Sequence, residues 1–435
     1  MSSRNSSRVI VLPAHPELIN HSHTFKKGII ELAPRLYSAV GFAASNAHML
    51  VGDDGLIIID TTESVGAAEN ILTEFRKITD KPVRTIIYTH SHRDHISGAS
   101  VFAENTDVEI IASHLFKSDL VDIDNTHPSP DAALNARTKR QFGIGLSFPD
   151  ERVNLGLGPG DRPMKGLGAG FLPPTQLIDQ DRVEISRCGF NLELIHAPGE
   201  TPDHLVVWLP EQNVLFSGDN YYHSFPNLYA IRGTPYRDFG AWVESLDLLI
   251  SIDADVLAPG HSQPLFGKSL MRERLQDYRD AIAYIISASA EAMNAGLGWD
   301  EVAHVVKLPH ELRDKPHLQE FYGKVSWAVR AYCTGTLGWF DGNPTNLNRL
   351  APQEEAKKFV DLAGGFEKIL EAAVKAEQGG EHQWALELAD RLLMIEPENV
   401  SVKKLKVSAM RSLADVEINA TARNTYLLVA KEMLQ

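Results

Sequence analysis

The stretch Ile86–Gly98, IIYTHSHRDHISG, places three histidines and an aspartate within six positions at the close of an apolar run. Val83 to Tyr88 reads as a buried strand, and the polar cluster begins where that strand ends. Just upstream, HMLVGDDGLIIID reads as a hairpin: an apolar run, a turn at Asp53, Asp54 and Gly55, then a buried strand Leu56 to Ile59 closed by Asp60. Between the two strands, AAENILTEFRKIT spaces Ala67, Ile71, Leu72 and Phe75 as one face of a helix. Strand, helix, strand specifies an α/β layer, and the carboxyl edge of such a layer is where sites are built.

A catalytic zinc takes nitrogen and oxygen donors from separate pieces of backbone and keeps one position open. His90 and His92, at alternate positions, can face one ion; Asp94 and His95, beyond the turn, can face a second. Four donors do not complete two sites, so the spacing predicts three more downstream, each at a strand end followed by a turn. Glu200 in HAPGETPDH, Asp219 in LFSGDN and His261 in LAPGHSQP each sit where an apolar run meets a glycine-containing turn. A lone histidine on a strand is more often a core residue. Seven metal-type residues at strand ends of one α/β region reverse that reading.

At 435 residues and 43% hydrophobic, the chain has material for two or three domains. No window approaches the roughly 18 apolar residues of a membrane span, and the polar start MSSRNSSR lacks a signal-peptide core, so a cytoplasmic protein without a membrane is expected. Two distant cysteines, Cys188 and Cys333, form neither a disulfide framework nor a thiolate metal site. The net charge of -15 opposes nucleic acid as a partner. An anionic substrate must therefore be attracted locally.

Residues from about Pro128 to Pro174, including NLGLGPGDRPMKGLGAGFLPP, are rich in glycine and proline and read as a lid, a binding loop or a mobile insertion. They form no nucleotide loop, since no Lys-Ser or Lys-Thr follows. Strand signals resume at LIDQDRVEISRCGFNLELIHAPG, HLVVWLP, NVLFSGD and ADVLAPGH; from about Lys268 the period becomes helical, beginning with the long pattern LMRERLQDYRDAIAYIISASAEAMNAG. EHQWALELADRLLMIEPENVSVKKLKVSAMRSLA reads as a tetratricopeptide-like hairpin with Pro397 in its connection.

With these motifs the chain resembles the metallo-β-lactamase superfamily, whose αββα sandwich carries H-x-H-x-D-H, a strand-end ligand, a bridging aspartate and a last histidine. The residue after Pro198-Gly199 is Glu200 where that superfamily usually has histidine, and this is similar to the alkylsulfatase branch. NLYAIRG (Asn227–Gly233), VRAYCTGTLGWFDGNPTNL (Val329–Leu347) and TARNTYLLVAKEML near the end resemble segments of the same branch. Two departures stand out: Asp219 where the branch commonly has glutamate, and no sterol-carrier-like third domain before Gln435.

The resemblance implies an α/β fold: an N-terminal arm (1–30), a metallo-β-lactamase-like catalytic domain (31–267), and an all-helical dimerisation domain (268–435) giving a homodimer. It implies two Zn2+ per chain, with His90, His92 and Glu200 on one, Asp94, His95 and His261 on the other, and Asp219 as bridge. Two divalent ions against three carboxylates leave roughly +1, enough to attract an anion. Asp60 would brace a ligand histidine. The reaction implied is hydrolysis of a small anionic ester, an alkyl sulfate, to alcohol and inorganic sulfate through a metal-activated water.

Arg232 is the first choice for the sulfate oxyanions, supported by Asn227 and Arg237. Tyr221, with its neighbour Tyr222, could line the pocket. His223 could serve as proton donor, beside Asp94 and Asp219 as catalytic groups. His15, His21 and His23 read as an accidental exposed cluster, and His196 and His204 as braces or simply packed. Competing readings are a hydrolase of a lactone, thioester or phosphoester, and a helical scaffold with a vestigial metal site. A redox enzyme is disfavoured, because di-iron relatives typically place glutamate where this chain has His92.

Overall fold

A computed structural model describes residues 14–104, 107–117 and 130–435; the opening MSSRNSSR and Pro128 lie outside the described residues. By compactness the chain forms two units. The larger takes His21–Leu134 and Asn154–Asn343; the smaller takes Asn135–Val153 and Pro344–Gln435 with the residues before His21.

The larger unit holds two sheets. The first runs in sequence order: β1 (Gly28–Ala33), β2 (Leu36–Val40), β3 (Ala47–Val51), β4 (Leu56–Ile59), β5 (Val83–Ile87), β6 (Glu109–Ser113) and β7 (Gln176–Ile178). The predicted hairpin is β3–β4, antiparallel with Val51 opposite Leu56, its turn closed by Gly52 N–H donating to Gly55 O at 2.9 Å. The predicted helix, Val65–Phe75, makes the crossover that leaves β4 and β5 parallel. The second sheet comprises β8 (Arg182–Arg187), β9 (Phe190–His196), β10 (Leu205–Leu209), β11 (Val214–Gly218), β12 (Val256–Pro259) and β13 (Leu265–Phe266), with β11 and β12 parallel across the helix Phe239–Ile252.

Strand alternation sorts the apolar residues into layers. Ile57, Ile59 and Ile87 of the first sheet meet Leu194, Val207 and Phe216 of the second in one core. Ile58 and Ile86 face the other way, against Ile71 and Phe75 of the helix Val65–Phe75 and against Phe102. Val206, Leu215 and Leu257 cover the opposite outer face together with Trp242, Leu246, Met271, Leu275, Ile282 and Val329. This is a helix–sheet–sheet–helix sandwich, and the predicted long helix, observed as Lys268–Asn294, packs within it.

The Gly- and Pro-rich segment makes isolated bridges, such as Asn154 with Pro159, instead of strands. Its middle is nevertheless packed down, with Asn154, Leu155 and Leu157 buried. In the smaller unit the predicted hairpin is His382–Ile395 and Val400–Val416, with Leu388 and Leu392 packing on Ile369 and Val402. There Arg423, fully buried, donates to Ala414 O at 2.6 Å and to Glu151 O at 3.3 Å. Among the described residues no helix is long and apolar enough to cross a membrane.

Candidate metal centre

The parallel pairs β4/β5 and β11/β12 end at one edge of the sandwich, and the donors lie on the turns that follow them. Asp60 closes β4 in the left-handed region (φ 58°). After β5 the chain bends at Thr89, His90 and Ser91, is extended at His92 (φ −63°, ψ 141°) and then turns into the short helix Arg93–Ile96. That change of direction separates His90 and His92 from Asp94 and His95. From the second sheet, Glu200 follows β9, Asp219 follows β11, and Gly260 and His261 follow β12. Gly260 has to lack a side chain, because a Cβ there would stand 2.4 Å from Asp219 Oδ1.

Two donor sets result: His90, His92 and Asp219, and Asp94, His95 and His261, each with ligand atoms within 4.8 Å of one another. In the first, His90 Nε2 lies 3.0 Å from His92 Nδ1 and 3.6 Å from Asp219 Oδ2. In the second, Asp94 Oδ2 lies 3.6 Å from His95 Nε2 and 3.5 Å from His261 Nε2. Asp219 touches both sets, its Oδ2 3.1 Å from His261 Nε2 and its Oδ1 3.3 Å from His95 Nε2. Glu200 stands beside the first set, Oε1 4.0 Å from His92 Nδ1. His92 and Asp94, with side chains 20% and 29% exposed against 3–4% for Asp219 and Glu200, form the open side.

The outer nitrogens of His90, His95 and His261 are tied down, which aims the inner ones. His95 Nδ1 donates to Asp60 Oδ2 at 2.7 Å, and Asp60 also accepts from the Thr89 N–H and hydroxyl at 2.8 Å. Asp60 thus braces a histidine at a strand end. His261 Nδ1 donates to Ala44 O at 2.7 Å, and His90 Nδ1 lies 3.0 Å from Thr89 Oγ1. His204 accepts the Asp219 N–H at 3.0 Å, a neutral role consistent with burial pushing its pKa down to about 3. His196 points its Nε2 at the carbonyl of Pro202, 2.7 Å away, and its Nδ1 lies 3.9 Å from Asp181.

These residues fit a divalent cation. His90 Nε2 and His92 Nδ1 face each other, while the buried His95 Nε2, Asp219 Oδ1 and Glu200 Oε2 have no hydrogen-bond partner. Burial holds His90 and His92 well below the usual imidazole range, reinforced by His95 for the former and by Arg232 and Arg237 for the latter. They therefore present lone pairs. Burial would also lower His95 and His261, but the carboxylate of Asp219, with Asp94 and for His95 also Asp60, outweighs it and raises both. Burial raises Glu200 against the pull of Arg237. Positive charge is thus what the carboxylates draw in, and imidazole with carboxylate is the donor chemistry of zinc.

Beyond the donors, Arg237 is buried and gives Nη1 to Glu200 Oε1 at 2.6 Å and to Asn227 O, while its Nε and Nη2 have no hydrogen-bond partner. Asn227 Nδ2 donates to Glu200 Oε1 at 3.2 Å. Arg232, half-buried, donates to Gly233 O at 3.1 Å. Tyr221 points into the core, its ring 5.3 Å from that of Tyr278. It is Tyr222 that meets the site, edge-on to His261 at 5.8 Å, with its hydroxyl accepting the Asn227 N–H at 2.7 Å. His223 donates its backbone N–H to Ser262 Oγ at 3.1 Å, and burial followed by Arg274 pushes its imidazole down to about 4.

The expectation of an exposed N-terminal histidine cluster fails at His21. Its ring is buried, stacked on Phe321 at 3.9 Å and bonded through Nε2 to Gly156 O at 2.7 Å. Sequence reasoning also missed Ala44, Ser45 and Asn46: Ser45 bonds Asp94 O, and Asn46 Nδ2 donates to Pro259 O and Ser262 O at 2.9 and 2.8 Å. The signal was a polar pair interrupting the apolar run GFAASNAHML.

Residues 40–261 match the family described as the metallo-beta-lactamase superfamily, and residues 299–435 that described as alkyl sulfatase dimerisation. The chain is similar to a linear primary-alkylsulfatase of Pseudomonas sp., 38% identical over 88% of this chain and 73% of that one. To the alkyl/aryl-sulfatase of Saccharomyces cerevisiae it is 32% identical, over 94% of this chain and 64% of the yeast one, so it spans under two thirds of that relative. The structure of the stereoselective inverting sec-alkylsulfatase Pisa1 from Pseudomonas sp. superposes with a TM-score of 0.87 at 29% identity, covering 97% of this chain and 68% of that one.

Proposed function

The chain belongs to the metallo-β-lactamase superfamily and, within it, to the alkylsulfatases, and from that premise we propose that it hydrolyses alkyl sulfate esters to alcohol and inorganic sulfate. His90, His92 and Glu200 would hold one zinc, Asp94, His95 and His261 the other, with Asp219 shared. Zinc supplies an acidified water, pKa about 7, so hydrolysis at neutral pH needs no serine or cysteine nucleophile.

The chain's own residues supply orientation and charge. Asp60 and the Ala44 carbonyl fix the tautomers of His95 and His261, so Nε2 of each carries the lone pair that faces inward. A sulfate monoester develops charge on planar oxyanions, which a guanidinium fork matches better than a lysine does. One observation carries this assignment: the buried Arg237 guanidinium, anchored through Nη1 on Glu200, keeps Nε and Nη2 without partners. Donors held in place beforehand stabilise a developing oxyanion without reorganising. Arg232 adds a second charge at the half-buried rim, and Asn227 keeps Glu200 in place. His223, neutral near pH 7, offers the leaving oxygen a hydrogen bond from an uncharged N–H. Residues 299–435 would join two copies into a homodimer.

Elemental analysis of protein purified without chelator should find two zinc per chain, and hexyl and dodecyl sulfate should release sulfate, with Glu200→Ala and Arg237→Ala inactive. Two zinc with no sulfate from any alkyl ester would overturn the proposal.

A further inference from the structure

The packed-down middle of the Gly- and Pro-rich segment reaches the metal centre through one backbone residue. Glu63 and Arg162 form a buried ion pair, side chains 7% and 2% exposed, with Arg162 Nε donating to Glu63 Oε1 at 2.7 Å. The same oxygen accepts the Ala44 N–H at 2.8 Å, and the Ala44 carbonyl accepts the Nδ1 proton of His261 at 2.7 Å. From the other side Gly158 presses on Ala44 so closely that a Cβ would stand 2.5 Å from that carbonyl oxygen and 2.8 Å from Ala44 Cα. The segment is itself pinned beside Glu63: Ser64 Oγ donates to Pro163 O at 2.8 Å, Gly66 N–H to Lys165 O at 2.9 Å and Gly168 N–H to Glu63 O at 3.0 Å.

The geometry points to Glu63, Arg162 and Gly158 as positioning residues for His261, an inference that rests on the two-metal reading of the site. A carbonyl can only accept, so it fixes the His261 proton on Nδ1 and the lone pair on Nε2, the atom 3.1 Å from Asp219 and 3.5 Å from Asp94. The carbonyl holds that place because Glu63 grips the N–H of the same residue and Gly158 leaves it no room to swing. Arg162 is the counter-charge that lets a carboxylate stand there buried. The insertion is thus a brace for a metal ligand.

Two paired replacements separate the hydrogen bond from the ion pair without stranding a charge. Glu63→Gln with Arg162→Met keeps an acceptor for the Ala44 N–H; Glu63→Leu with Arg162→Met removes it. With the zinc-loaded chain and a chromophoric chelator, the Leu/Met pair and Gly158→Ala should lose metal about 10–100-fold faster than wild type, and the Gln/Met pair within about threefold of it. Equal release from the two pairs, or wild-type release from Gly158→Ala, overturns the inference. A second readout needs neither metal nor substrate: the His261 Nδ1 proton should exchange slowly in wild type and the Gln/Met pair, and fast in the Leu/Met pair. Zinc-loaded protein that releases no sulfate would refute the proposed hydrolase, while these comparisons would still decide the positioning role.

Discussion

Asp60→Asn is a nearly isosteric change whose effect can be worked from three hydrogen bonds. The carboxylate accepts the Thr89 N–H on Oδ1 and both the Thr89 hydroxyl and the His95 Nδ1–H on Oδ2. An amide has one acceptor oxygen. If that oxygen stays with the Thr89 N–H, the NH2 group faces His95 Nδ1, which must give up its proton to Nε2. Nε2 is the atom 3.3 Å from Asp219 Oδ1 and 3.6 Å from Asp94 Oδ2, so the lone pair for a metal is lost. If the amide flips, two donors confront each other at Thr89, and a buried N–H without a partner costs about 1–3 kcal/mol. Removing an outer brace of a metal ligand costs about 10–100-fold in affinity, or about 1.4–2.7 kcal/mol, the same range by an independent route. The backbone is not strained, because asparagine tolerates the left-handed conformation that Asp60 adopts at φ 58°. Zinc titration against a chromophoric chelator should show the set containing His95 weakened by that factor with the circular dichroism spectrum unchanged. Both equivalents bound within about twofold of wild type would refute the tautomer argument.

Arg237→Met should destabilise the metal-free chain by about 3–5 kcal/mol in denaturant melts, since Glu200 loses the partner at 2.6 Å in a buried site; Glu200→Gln in the same chain should restore most of it, and no restoration would mean that the pair is not the cause. Arg232→Ala should lower kcat/KM for hexyl sulfate by about 10²–10³-fold, with Arg232→Lys recovering little; full recovery by lysine would reduce its role to simple charge. Stability should fall as pH drops below 6.5. The folded-state values of His21 and His223 are lowered to about 3 and 4, so the unfolded chain takes up protons that the folded chain refuses. The slope is up to about 1.4 kcal/mol per pH unit for each histidine between pH 6.5 and 4, and His223→Gln should flatten it by one such increment. An unchanged slope in melts at pH 6.5, 5.5 and 4.5 would contradict the buried, neutral assignment.

Strand ends were legible because each leaves a local mark, an apolar run stopped by glycine, proline or a cluster of polar residues. The hairpin at Asp53 to Gly55 and the donors at His90, Glu200, Asp219 and His261 all carry that mark. Burial conferred by remote residues leaves no such mark. His21 stands in a polar stretch and looks exposed, yet the ring that covers it comes from Phe321, three hundred positions away. Tyr221 and Tyr222 are chemically equal and adjacent, and only the turn after Asp219 decides that the second meets His261 while the first enters the core. The glycine-rich segment was illegible for a related reason: where irregular backbone packs depends on what lies opposite, and Gly158 is shaped by Ala44.

Each donor set straddles both sheets: His90 and His92 need Asp219, and Asp94 and His95 need His261. His95 and His261 are 261 − 95 = 166 positions apart, so at roughly 5–20 residues per second the ribosome supplies the last donor about 8–33 s after the first four are made. For that interval the nascent chain carries only the donor-type residues of one turn, His90, His92, Asp94 and His95. On the proposed two-metal reading, metal choice would be a matter of timing as well as of geometry, because neither set is complete until the second sheet has formed.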